Sequence, residues 1–218
     1  MPVSTTSVAV HAWPSGLPQA LADLRSPAEL TVISVPTALT ASRADAREAV
    51  RHALRHTLAA FFDVSAASLT LVSSPGQAVR PLAYDLPIHL AISHMPGLSV
   101  AAISARGAIG VDVMALSDHN FPDWAQVARD YLGPHTAAAI KQAPPADQAT
   151  EFAKEWTALE AGLKCLGLAL TEWTPALAVR LGKCCLATLN LPASICGVLA
   201  FTPAGHSTTT ERLASPYS

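Results

Sequence analysis

The 218-residue sequence reads as an α+β fold in which each half of the chain packs a helix on several antiparallel strands. Three observations carry that reading. Short β-rich runs bounded by turn residues recur on both sides of position 107. Two longer segments instead place apolar residues at three- and four-residue steps, the helical period. Half of the residues are hydrophobic and 14% are charged, against a usual charged share of about 25%, so the chain can bury a sizeable core.

Taken in order, Val8 to Trp13 alternates weakly and ends at Pro14-Ser15-Gly16, a strand followed by a turn. Leu30 to Val35 is a second strand. Ala46, Ala49, Val50, Ala53, Leu54, Leu58, Phe61 and Phe62 predict a helix with Ser42 at its N-cap, and its other face carries Arg43, Arg47, Arg51 and Arg55. Leu69 to Val72 and Ile88 to Ile92 predict strands around a long loop, Ser73 to Pro87. Val100 to Ser104 and Ile109 to Val113 continue the strands, split by Arg106-Gly107. Trp124 to Leu132 and Thr136 to Lys141 predict helices, and Pro144-Pro145 is a breaker. A long helix follows from about Asp147 to Leu166, stopped by Gly167. Ala176 to Arg180, Cys184 to Leu189 and Ile195 to Thr202 predict strands, with a polar tail from Pro203. No internal sequence repeat relates the halves.

The net charge of −2 argues against nucleic acid or an anionic membrane surface as partner, since both call for a strongly basic balance. No stretch approaches the ~18 uninterrupted apolar residues of a spanning helix. Met1 to Pro14 lacks a basic leader with an apolar run, so the expectation is a soluble, cytoplasmic protein. Cys165, Cys184, Cys185 and Cys196 form no C-x-x-C pair and have no His at zinc-ligand spacing, which predicts reduced packing thiols.

Chemistry concentrates in three places. In Gly110-Val111-Asp112-Val113-Met114, strand alternation puts Asp112 on the face opposite Ile109, Val111 and Val113. A strand aspartate needs compensation: a metal ion supplies it, and so does solvent at a strand end. In the long helix, Glu160 falls on the flank of the apolar stripe formed by Ala149, Phe152, Trp156, Leu159 and Leu163, with Lys164 one turn further on. A carboxylate beside an apolar stripe is partly desolvated, a property of bases and ligands, although an i,i+4 Glu–Lys pair is also a common surface feature. Ser93-His94 ends the strand from Ile88, with Arg80-Pro81 upstream in the loop.

In order and spacing these pieces resemble the 4′-phosphopantetheinyl transferase superfamily, in its two-lobed class serving peptide and polyketide synthases. The resemblance rests on Arg80-Pro81, Ile92-Ser93-His94, Gly110-Val111-Asp112-Val113, and Trp156-Thr157-Ala158-Leu159-Glu160-Ala161 with Lys164, closing on Leu166-Gly167-Leu168. It extends through Ala46 to Arg51 and Ala128 to Leu132, so it spans about Arg43 to Leu168. Met114 stands where many members have a second acid, Leu159 where the family usually has Lys, and Gln77 where many have Lys.

The resemblance implies two similar lobes related by a pseudo-twofold, each a long helix on a small, mainly antiparallel sheet. The boundaries it suggests are residues 1–107 for a coenzyme A-binding lobe, 108–203 for a metal-bearing lobe and 204–218 for the tail. It implies transfer of the 4′-phosphopantetheine group from coenzyme A to a serine of an acyl or peptidyl carrier protein by a monomer, with release of 3′,5′-ADP. Asp112 and Glu160 would hold Mg²⁺, which Mn²⁺ can replace, with Glu160 also the general base. Lys164 would stabilise the departing nucleotide, and His94, Ser93, Arg80 and Arg47 would grip phosphates. Arg43 or Arg51 could take the part of Arg47, and a solvated face is the alternative for all four helix arginines. The competing function is a noncatalytic coenzyme A- or carrier-binding module on the same fold, suggested by Met114 and Leu159.

Overall fold

The computed structural model describes residues 4–72, 80–81, 88–116 and 123–203. The first part supplies β1 (Ser4–Val8), β2 (His11–Ala12), α1 (Leu17–Leu24), β3 (Leu30–Pro36) and α2 (Arg43–Phe62). It continues with β4 (Leu71–Val72), β5 (Arg80–Pro81), β6 (His89–Met95) and β7 (Leu98–Ser104). The second part runs β8 (Ile109–Ala115), α3 (Trp124–Val127), α4 (Pro134–Gln142), α5 (Gln148–Cys165), α6 (Pro175–Leu181), β9 (Cys185–Leu189) and β10 (Ile195–Phe201).

Local chemistry fixes the two long helices. Ser42 caps α2: its Oγ accepts from the Asp45 amide at 3.1 Å, and the Asp45 carboxylate accepts from the Ser42 amide at 3.3 Å. Ala46, Val50, Ala53, Leu54 and Leu58 form its buried stripe, and Asp63 ends it in the left-handed conformation. At the far end of α5, Gly167 takes φ +64°, the Leu168 amide donates to the Leu163 carbonyl, and the Gly167 amide donates to the Lys164 carbonyl. This paired arrangement halts the helix just past Lys164, with Cys165 its last residue.

Two four-stranded sheets run in the orders β2-β3-β7-β6 and β1-β9-β10-β8, with β4 and β5 forming a separate ribbon. In the first sheet β3, β7 and β6 are antiparallel, as are β8, β10 and β9 in the second. Each unit therefore reads strand, helix, strand, strand, with the last strand between the other two: β3-α2-β6-β7 and β8-α5-β9-β10. This is the two-lobed α+β arrangement, and the repeat lies in topology rather than in sequence. Each sheet adds one parallel edge strand, β2 beside β3 and β1 beside β9, so the N-terminal residues complete the sheet of β8 to β10.

Side-chain alternation sorts the core into layers. Ile33, Val35, Leu90, Ala101 and Ile103 face α2, with Val50, Leu54 and Leu58 above them. Val32, Ala91, Val100 and Ala102 meet Ile109, Val111, Val113 and Leu199 between the sheets. Leu186, Val198 and Ala200 pack under Ala158, Ala161 and Cys165 of α5.

The strand expected at Ala176 to Arg180 is instead α6. Thr174 Oγ1 accepts from the Leu177 amide at 3.0 Å, Pro175 follows at the first helical position, and Leu177 and Leu181 are buried one turn apart. The segment Trp124 to Leu132 is helical but changes pitch, with a π-helical stretch from Ala128 to Leu132 after α3. In α1, Ala20 and Leu24 are buried four residues apart, a period that Gly16 and Pro18 at its start mask in the sequence. The loop from Ser73 to Pro87, apart from the backbone of β5, and the tail beyond residue 203 lie outside the described residues. All four cysteines are free thiols, and Cys165 and Cys184 are buried.

Candidate active site

The site begins with a glycine. A Cβ on Gly110 would lie 2.0 Å from the Ala161 carbonyl oxygen and 2.5 Å from the Cys165 nitrogen, both backbone atoms of α5. Only a residue without a side chain lets β8 lie directly against that helix. Two residues on, the same face of β8 presents Asp112 to α5. Lys164 Nζ donates to Asp112 Oδ1 at 2.7 Å and to the Val111 carbonyl at 3.1 Å.

Ser93 on β6 reaches the same carboxylate from the other sheet. Its hydroxyl donates to Asp112 Oδ1 at 2.8 Å and accepts from the Val113 amide at 3.2 Å. Ser93 is 5% exposed and Asp112 8%, so the bonds hold two buried polar groups that would otherwise be costly. One carboxylate oxygen thus takes two donors, one charged and one neutral.

Glu160 lies one helical turn before Lys164 and is half-buried. Burial first, and then the negative charge of Asp112, push its carboxyl above the usual 4.5, while Lys164 pulls the other way. Two carboxylates share this corner with one ammonium. Hard oxygen donors that repel each other suit a divalent cation, and Mg²⁺ in particular takes one or two carboxylates and leaves further positions to substrate phosphates and water. Among the described residues no group of three or more His, Cys, Asp or Glu is placed to hold a metal, so the carboxylates available to one here are Asp112 and Glu160.

His94, next to Ser93, sits on the cationic side. Its Nδ1 lies 2.8 Å from Ser99 Oγ, a fully buried hydroxyl directly across the β6–β7 hairpin. Burial lowers the imidazole below its usual 6.5, and the charges of Arg47, Arg43 and Lys164 lower it further. Arg47 and Arg43, on the first turns of α2, and Lys164 thus lie near enough to His94 for their charges to act on its imidazole. The Arg80 side chain lies outside the described residues. Met114 and Leu159 both pack into the apolar cluster of Phe152, Leu163 and Leu181, with Leu159 6% exposed.

Ser99 is the residue that reading the sequence for chemistry passes over, and Gly110 is read there as part of a motif without its packing role. The signal for Ser99 was present: Pro96-Gly97 makes a two-residue turn with Gly97 at φ +83°, which sets His94 opposite Ser99. Two cavities lie elsewhere. One of about 290 Å³ is lined by Glu48, Arg51, Arg55 and Thr70, and one of about 140 Å³ by Tyr131, Glu155 and Trp173.

Residues 108–185 match the family model of the 4′-phosphopantetheinyl transferase superfamily. The matched stretch contains Gly110, Asp112, Glu160 and Lys164, and ends before β10. No curated protein matches the chain. No helix among the described residues is long and apolar enough to cross a membrane.

Proposed function

We propose that this chain, whose residues 108–185 carry the 4′-phosphopantetheinyl transferase superfamily domain, is a holo-carrier-protein synthase. It moves the 4′-phosphopantetheine group of coenzyme A to a serine of an acyl or peptidyl carrier protein and releases 3′,5′-ADP. The observation that carries the reading is the charge arrangement about β8 and α5. Lys164 bonds Asp112 at 2.7 Å, Glu160 feels the charges of both, and Lys164, Arg47 and Arg43 all act on His94. A pyrophosphate with a bound cation needs both kinds of group within one site.

In the reaction the carrier serine Oγ bonds to the β-phosphorus of coenzyme A, and the bond from that phosphorus to the oxygen bridging to the α-phosphate breaks. The serine proton passes to Glu160, whose raised pKa suits a general base. Lys164 stands against the negative charge that develops on the departing nucleotide, and His94 and Arg47 hold its phosphates, with Arg80 in support. Asp112 and Glu160 are the residues that would hold Mg²⁺, or Mn²⁺ in its place, and the ion would supply Lewis-acid polarisation of the phosphoryl oxygens.

Intact mass spectrometry of an apo carrier protein incubated with coenzyme A, Mg²⁺ and this protein tests the proposal. The expected result is a phosphopantetheine adduct that disappears with Asp112→Ala and with Glu160→Ala. No adduct on several unrelated carriers, with coenzyme A still bound, would favour a noncatalytic binding module. The packing of a half-buried Met114 against the apolar cluster, where many members place a second acid, is the observation on that side.

A further inference from the structure

We infer that Ser93 is a positioning residue: it orients the Asp112 carboxylate for a divalent cation and does not itself grip a phosphate of coenzyme A. The inference rests on the transferase reading and changes the part assigned to one of its residues. A serine hydroxyl has a single proton to donate. In Ser93 that proton is given to Asp112 Oδ1 at 2.8 Å, and a lone pair of the same oxygen accepts the Val113 amide at 3.2 Å. Fully ionised phosphate oxygens only accept hydrogen bonds, so Ser93 can serve a phosphate only by releasing Asp112. With Ser93 5% and Asp112 8% exposed, that release would leave Oδ1 with Lys164 as its remaining donor and little water to replace the lost bond.

The geometry shows what the bond achieves. Asp112 Oδ1 is held from one sheet by Ser93 and from α5 by Lys164, at 2.8 and 2.7 Å. Two donors on one oxygen fix the rotation of the carboxylate about its Cβ–Cγ bond and leave Oδ2 as the oxygen that neither residue holds. The amide of Val113 locks the hydroxyl to the strand that carries Asp112, so the orientation is referred to β8 itself. Hydrogen bonds of this kind to a ligating carboxylate typically change metal affinity by roughly 10- to 100-fold when removed.

Ser93→Ala, in the full chain, separates the two parts. Mn²⁺ binding is followed by electron paramagnetic resonance of the free ion, and coenzyme A binding by calorimetry in EDTA, where no divalent ion contributes. A positioning role predicts Mn²⁺ affinity lowered roughly tenfold with coenzyme A affinity in EDTA unchanged, and recovery of Mn²⁺ affinity in Ser93→Thr, which keeps the hydroxyl. Coenzyme A affinity lowered to the same extent, with Mn²⁺ affinity intact, would assign Ser93 to the phosphates and overturn the inference, as would two unchanged affinities or two that fall together. If the alanine variant does not fold, Ser93→Cys, nearly isosteric and a weaker donor, is judged by the same pair of affinities. A wild-type chain that binds neither Mn²⁺ nor coenzyme A would overturn the transferase reading and this inference with it. With a wild type that binds both, the variant alone decides the role of Ser93.

Discussion

Replacing Gly110 with alanine places a methyl carbon 2.0 Å from the Ala161 carbonyl oxygen, 2.5 Å from the Cys165 nitrogen and 3.0 Å from the Ala161 carbonyl carbon. These are backbone atoms of a hydrogen-bonded helix, so no side chain can rotate to make room. To reach even 3.0 Å from that oxygen, α5 or β8 must shift by at least 3.0 − 2.0 = 1.0 Å. Overpacking of this kind costs about 1 to 3 kcal/mol, and a clash with backbone falls at the upper end. The shift also acts on the site, because α5 carries Glu160 and Lys164 while β8 carries Asp112. Displacement along the line of the Lys164–Asp112 contact would take it from 2.7 Å to beyond hydrogen-bonding range. A misplacement of about 1 Å in a reacting geometry can cost roughly 100-fold in rate. Urea unfolding at pH 7 and transfer to an apo carrier are the two measurements. Gly110→Ala with stability within about 0.5 kcal/mol of wild type and undiminished transfer would refute the close-packing argument.

Two further outcomes follow from the titrating groups. Glu160 has a folded pKa above its ordinary 4.5, so above that value the folded chain holds an unfavourable charge that the unfolded chain carries more easily, and the cost is relieved as pH falls through the raised value. Glu160→Gln is therefore expected to raise the melting temperature of the metal-free protein at pH 7 while lowering transfer roughly 100- to 10,000-fold; a variant that is both less stable and still active would contradict both parts. His94 has the opposite shift, its folded pKa below the ordinary 6.5, so its contribution to stability is present above about pH 6.5 and is lost as pH falls below it, where the unfolded chain takes up the proton more readily. Urea unfolding of wild type and His94→Gln at pH 7.5 and 5.5 should show the smaller loss of stability in the variant, and equal losses would refute a shift caused first by burial and then by the charges of Arg47, Arg43 and Lys164.

Much of this architecture is written in periodicity and punctuation. The α2 and α5 stripes, the Ser42 cap and the Gly167 stop are local signals, satisfied within one or two turns of chain, and the structure follows them closely. The segment from Ala176 to Arg180 misleads for the same reason in reverse. It is short and apolar, and length alone does not separate a strand from two turns of helix; the decisive residues, Thr174 and Pro175, lie just ahead of it. Within the site, alternation puts Asp112 and Met114 on the helix-facing side of β8, and the 100° step puts Glu160 at the margin of the buried stripe. What those rules cannot deliver is distance between elements far apart in sequence. The bond from Ser93 to Asp112 spans 19 residues and two sheets, and that from Lys164 to Asp112 spans 52 residues. Both depend on how the layers stack, which only the packing of Gly110 against α5 and the apolar sheet–sheet layer determine.

The same stacking explains why a single register can serve both fold and chemistry. In each unit the last strand occupies the middle, so the strands left at the edges, β6 in one sheet and β8 in the other, have one side without a strand partner among the described residues. These edges meet, and unpaired amides on them must be satisfied or exposed. Ser93 does so for Val113 and in the same stroke holds Asp112. A one-residue slip of β8 would reverse its faces, carrying Asp112 into the layer of Val32, Val100 and Ala102 and turning a branched side chain toward the Ala161 carbonyl. Either consequence alone is prohibitive, a charge among aliphatic groups or a side chain inside a helix backbone. The register that buries Val111 and Val113 between the sheets is thus the one that delivers the carboxylate to Lys164 and Ser93, and selection for a packed interior maintains the site geometry as well.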